Sequence, residues 1–148
     1  MNIEVPAGQQ PLGRLIAALS RQLTARMAMV LEQHALTEAG WWLLTELAVA
    51  PDGGLPLNEV ARRARLGAST ATLLSDQFAE RGLLVRERSP QNRRLVLAQL
   101  TEAGRRRVTE VRGQLNELFG GTYARLTADE QQTLSRLLTR MLDPDDAG

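Results

Sequence analysis

Between residues 84 and 100 the apolar residues leave the three-to-four-residue helical step seen on both sides and fall in short runs, Leu84-Val85 and Leu95-Val96-Leu97-Ala98, on either side of a turn-forming stretch. Side chains alternate faces along a strand and repeat every 3.6 residues around a helix. One short extended segment therefore sits inside an otherwise helical chain. Leu84-Val85-Arg86-Glu87-Arg88 and Leu95-Val96-Leu97-Ala98-Gln99-Leu100 read as two strands, and Ser89-Pro90-Gln91-Asn92-Arg93 reads as the turn between them. The expected class is mainly α with a small β-hairpin (α+β).

The helical parts are separable by their caps. Leu12, Leu15, Ile16, Leu19, Leu23, Met27, Val30 and Leu31 trace one stripe of a long first helix ending near Gln33-His34-Ala35. Thr37 is placed to cap a second helix, with Leu36 stapling onto Trp41. Both Trp41 and Trp42 are expected in the core. Ala50-Pro51-Asp52-Gly53-Gly54 is a turn, after which Pro56 lies near the first turn of a short third helix that turns Val60, Ala61 and Ala64 inward. After the tight connection Arg65-Leu66-Gly67, a fourth helix runs to Arg81. It buries Ala71, Leu74 and Phe78 and leaves Ser69, Thr70, Thr72, Leu73, Asp76 and Gln77 outside, and Gly82 stops it. Beyond the hairpin, Leu100-Thr101-Glu102 opens a fifth helix that Gly120-Gly121 is expected to end. Thr127 and Glu130 form a capping box for a sixth, and Asp143-Pro144-Asp145-Asp146 reads as a frayed acidic tail.

Two short helices joined by a tight turn and followed by a hairpin describe a winged helix-turn-helix, whose second helix suits a DNA major groove while the hairpin reaches the adjoining backbone or minor groove. The first, fifth and sixth helices carry apolar stripes that so small a central module cannot cover. A second copy of the chain is the expected partner. The reading is thus a DNA-binding domain over residues 37–100 and a helical dimerisation region over 1–36 and 101–148. In such a dimer the two reading helices lie roughly 34–36 Å apart, one turn of duplex.

Charge supports a polyanionic partner. All 18 basic residues are arginine, a planar fork suited to phosphates and guanine edges. Residues 51–112 hold 12 arginines against 7 acidic residues, net +5, while the rest of the chain holds 6 against 10, net −4. With no cysteine, no lysine and a single histidine, there is no constellation for thiol, Schiff-base or multi-histidine metal chemistry. The chain is expected to be no enzyme and to need no metal or cofactor. No apolar run approaches the roughly 20 residues of a membrane span, and residues 1–13 lack a secretory pattern, so the expected compartment is the cytoplasm.

The segment Ser89–Gly104, with its Leu-Thr-x-x-Gly ending (Leu100, Thr101, Gly104), resembles the wing and following helix of the MarR family of bacterial transcription regulators. Glu59-Val60-Ala61, Ser69-Thr70-Ala71-Thr72 and Gly82-Leu83-Leu84-Val85-Arg86 match in order and spacing, and the resemblance spans about Gln10 to Leu142. It implies a homodimeric, ligand-responsive repressor of a palindromic operator. Base contacts would come from Ser69, Thr70, Thr72 and Gln77. Wing and backbone contacts would come from Arg86, Arg93, Arg94, Arg62, Arg63 and Arg65, with Arg81 adding to affinity. The resemblance also implies a small aromatic or phenolic effector, with Arg14, His34, Trp41 and Trp42 as its pocket. Two departures stand out: the wing reads Asn92-Arg93-Arg94 where the family reads Asp-x-Arg, and the fourth helix has Leu73 and Gln77 where basic residues are common. The uncharged fourth helix leaves a second reading, a winged-helix protein–protein module that has lost DNA binding.

Overall fold

The computed structural model describes residues 11–142; the expected acidic tail lies outside them. In chain order the elements are α1 (Leu12–Gln33), α2 (Glu38–Ala48), β1 (Leu55–Pro56), α3 (Leu57–Arg63), α4 (Ala68–Glu80), β2 (Leu84–Arg88), β3 (Val96–Leu100), α5 (Glu102–Tyr123) and α6 (Ala128–Leu142). They divide into two compact units, one reaching Leu115 and one beginning at Asn116. No described helix is long and apolar enough to cross a membrane.

The first unit holds the core. Leu31, Leu43, Leu44, Val60, Leu84, Val108 and Val111 are fully buried. They come from α1, α2, α3, β2 and α5, the apolar stripes read from the sequence. The expected two-stranded hairpin is a three-stranded antiparallel sheet in the order β1-β3-β2. Leu55 pairs with Ala98 and Pro56 with Leu97, so Pro56, which caps α3 beside its first turn as expected, also ends an edge strand that the sequence did not reveal. A proline has no N–H to lose at an edge. Gly54 makes the approach possible: its φ is +84°, and a Cβ there would strike the Ala98 carbonyl. The hairpin register sets Leu84 opposite Leu100 and Arg88 opposite Val96, so the returning strand starts at Val96, one residue later than expected.

Three helices end in the same six-residue hydrogen-bond pattern. Leu36 N–H donates to the Leu31 carbonyl at 2.9 Å, Leu66 to Ala61 at 2.8 Å and Leu83 to Phe78 at 2.9 Å. The left-handed residue is Ala35 (φ 51°), Arg65 (φ 55°) and Gly82 (φ 71°) in turn. The Leu-Thr-x-x-Gly segment also has a physical basis. Thr101 Oγ1 accepts the Gly104 N–H at 3.0 Å and donates to the Gly82 carbonyl at 2.6 Å. Gly104 faces the Leu83 carbonyl so closely that no Cβ fits. Together they pin α5 to the turn between α4 and β2.

In the second unit Gly120-Gly121 does not end α5. The Ala124 N–H donates to the Gly120 carbonyl at 2.8 Å and the helix continues to Tyr123, because neither glycine takes a positive φ. Gln131 Nε2 then donates to the Tyr123 and Leu126 carbonyls. The Thr127–Glu130 capping box forms as expected. No residue of α6 is buried, and Leu134, Leu137, Leu138, Met141 and Leu142 stay exposed, as do Leu12, Leu15, Ile16 and Leu19 of α1.

Candidate nucleic-acid interface

Helix α4 turns Ala71, Leu74, Ser75 and Phe78 inward. Ser69, Thr70, Thr72, Leu73 and Gln77 are exposed, the outward set expected of a reading helix. Thr72 Oγ1 donates back to the Ala68 carbonyl at 3.0 Å, which occupies its hydroxyl proton.

The wing tip is built by its own polar groups. Ser89 is buried; its N–H donates to the Leu95 carbonyl, and Leu95 N–H donates to Asn92. Ser89 Oγ accepts the Asn92 N–H at 3.3 Å. The Asn92 side-chain oxygen accepts the Arg94 N–H at 3.1 Å, and Arg88 donates to the Arg93 carbonyl at 2.8 Å. Asn92 therefore sets the backbone that carries the tip arginines, without an ion pair. Arg94 and Leu95 share a recess with Asn58, Ala68 and Thr72, so the wing lies against the beginning of α4.

The expected arginines separate into two groups. Arg62 and Arg63 both bind Glu59, at 2.7 and 2.8 Å. Those hydrogen bonds hold the Glu59 carboxyl down at about 2. Arg86 pairs with Asp76 and ties β2 to α4. Arg81 donates to the Ala35 and His34 carbonyls at 2.8 and 2.9 Å and stacks over Phe78, so it clamps the end of α1. Burial and the nearby Arg107 both lower its pKa. Among the described residues the guanidinium groups of Arg65, Arg93 and Arg94 have no partner. Asp76 as the holder of Arg86 was not legible in the sequence, because it lies ten residues away on another element.

The four residues read as an effector pocket are not brought together in one subunit. Arg14 lies twenty residues before His34 along α1, a rise of about 30 Å. Trp41 is buried, but Trp42 is 44% exposed, its indole N–H directed to Glu38. Successive helical residues point about 100° apart, so only Trp41 joins the core. His34 Nε2 meets Gln114 Oε1 at 2.9 Å, and its carbonyl also accepts from Arg107.

Residues 36–96, from the turn before α2 to the start of β3, match the MarR family model. That match covers less than half of the chain and makes it similar to the MarR family. It resembles the HTH-type transcriptional repressor MdtR of Bacillus subtilis at 23% identity, over 85% of this chain and 80% of MdtR. The Staphylococcus aureus MepR–DNA complex superposes with a TM-score of 0.77 at 22% identity, over 90% of this chain and 98% of MepR. The Mycobacterium tuberculosis MarR family protein Rv2887, solved with salicylic acid, gives 0.67 at 26% identity, over 91% and 98%. The matched family and the curated relatives are transcriptional regulators, not enzymes.

Proposed function

We propose that the chain is a homodimeric repressor that binds a palindromic duplex operator. Residues 37–100 form its reading head, and residues 1–36 and 101–148 form its dimerisation region. The observation that carries this reading is the free cation of Arg94 on a wing seated beside the exposed, uncharged start of α4. A helix that enters a major groove with an arginine alongside it meets bases and phosphates together. The exposed apolar stripes of α1 and α6 are the surface a second copy would cover. Ser69, Thr70 and Gln77 read base edges; Arg65, Arg93 and Arg94 hold the backbone. Arg62, Arg63 and Arg86 contribute less, since acids on the same head hold them.

The test is binding of the purified chain to the duplex upstream of its own gene at rising salt. Each arginine–phosphate contact adds about 0.9 to the slope of log affinity against log salt. Arg94→Ala is expected to weaken binding and to reduce that slope by about one for each subunit's contact. An unchanged slope removes the wing from the interface. No binding at any salt returns the protein–protein module as the better reading.

Response to a small aromatic acid belongs to the same proposal. Its support is salicylic acid on Rv2887, together with the exposed Trp42 ring. Salicylate titrated into the protein should quench tryptophan emission and release DNA. A ligand that changes neither has no differential affinity for the two states and is not the effector.

A further inference from the structure

The outward stripe of α4 reads Ser69 or Thr70, then Leu73, then Gln77, at the three- and four-residue steps that align side chains on one helical face. Its centre is Leu73, a large apolar side chain left 58% exposed. From Ala68 to Glu80 the helix contains no arginine or lysine, and Asp76 beside the stripe is occupied by Arg86. The free cations lie at the rim: Arg65 in the turn before α4, and Arg93 and Arg94 on the wing. The face is therefore an apolar and amide surface bordered by positive charge, which complements the floor of a groove walled by phosphates.

The major groove offers few partners for such a surface. Guanine is read chiefly by a bidentate arginine or lysine, which this helix lacks. Adenine is read by an amide such as glutamine, and thymine presents the one apolar group in the groove, its C5 methyl. We propose that Leu73 is a specificity-determining residue that packs on a thymine methyl, and that Gln77 pairs with adenine, so that each α4 selects A·T pairs at the centre of its half-site. This rests on the reading of α4 as the major-groove element.

Replacing thymine by deoxyuridine deletes the methyl and keeps the base pair. Sites are selected from a random duplex pool with the full-length chain. Each thymine under α4 is then replaced in turn, and affinity is read by fluorescence polarisation. One deleted methyl contact is expected to cost about fourfold, and the symmetry-related pair about fifteenfold. Leu73→Ala should bind thymine and uracil sites equally, and Leu73→Met should keep the thymine preference. Because Leu73 is exposed, both variants should melt with the wild type.

Equal affinity of the wild type for thymine and uracil sites overturns the proposal alone. So does a thymine preference that survives in Leu73→Ala, or selected sites with G·C pairs at those positions. Failure to retain any duplex overturns it together with the DNA-binding reading.

Discussion

Replacing Arg81 by alanine separates a structural arginine from a DNA-contacting one. Its guanidinium donates to the Ala35 and His34 carbonyls at 2.8 and 2.9 Å and lies 5.5 Å from the Phe78 ring centroid. These carbonyls close α1, whose own last turn has no basic residue. Each hydrogen bond is worth about 1 kcal/mol net at a partly exposed site, and the ring contact about 0.5 kcal/mol. Desolvation of the cation and repulsion from Arg107 oppose them, which leaves about 2 kcal/mol for the set. With a urea slope of about 2 kcal/mol per molar, Arg81→Ala should lower the denaturation midpoint by about 1 M. Protomer concentration is held fixed, because dimerisation adds to apparent stability. Arg81→Lys keeps the charge but not the two-pronged fork and should recover about half of the loss. The salt slope of DNA binding should be unchanged in both variants. A wild-type midpoint in Arg81→Ala would refute the clamp, and a slope reduced by about one for each subunit's contact would make Arg81 a phosphate ligand.

Three further outcomes follow from local geometry. Ser75 is fully buried and its Oγ has no partner among the described residues, so Ser75→Ala should raise stability by about 1 kcal/mol in urea denaturation. Gly104→Ala drives a methyl into the Leu83 carbonyl; overpacking of about 1–3 kcal/mol outweighs the better helix propensity of alanine, and calorimetry should show a lower Tm. The Glu59 carboxyl, held at about 2 against an ordinary 4.5 by Arg62 and Arg63, is stabilising above 4.5, and that contribution is lost as pH falls towards 2. Its NMR titration should show the low midpoint, and Arg62→Ala with Arg63→Ala should return it towards 4.5.

Most of the architecture was legible because it is written in local periodicity and caps. The two short apolar runs about Ser89-Pro90-Gln91-Asn92-Arg93 located the hairpin, and Thr37, Thr101 and the Thr127–Glu130 box located helix starts, since a cap joins residues only three apart. The misreadings arose where the deciding partner is distant. Pro56 entered a strand because Leu97 and Ala98 lie beside it. Gly120 and Gly121 stayed helical because nothing there imposes a left-handed turn, and Trp42 stayed outside because Trp41 alone faces the core.

The sequence by itself determined the order of the helices and the hairpin, the apolar faces and the concentration of arginine in the middle of the chain. These depend on residue type and spacing alone. Only the tertiary structure decided which arginines are free. Arg81 reaches carbonyls 46 and 47 residues away, and Arg86 meets Asp76 across two elements. Arg65, Arg93 and Arg94 remain unpaired among the described residues. A guanidinium is committed by whichever oxygen the fold carries within about 3 Å of it, and chain order does not specify that distance.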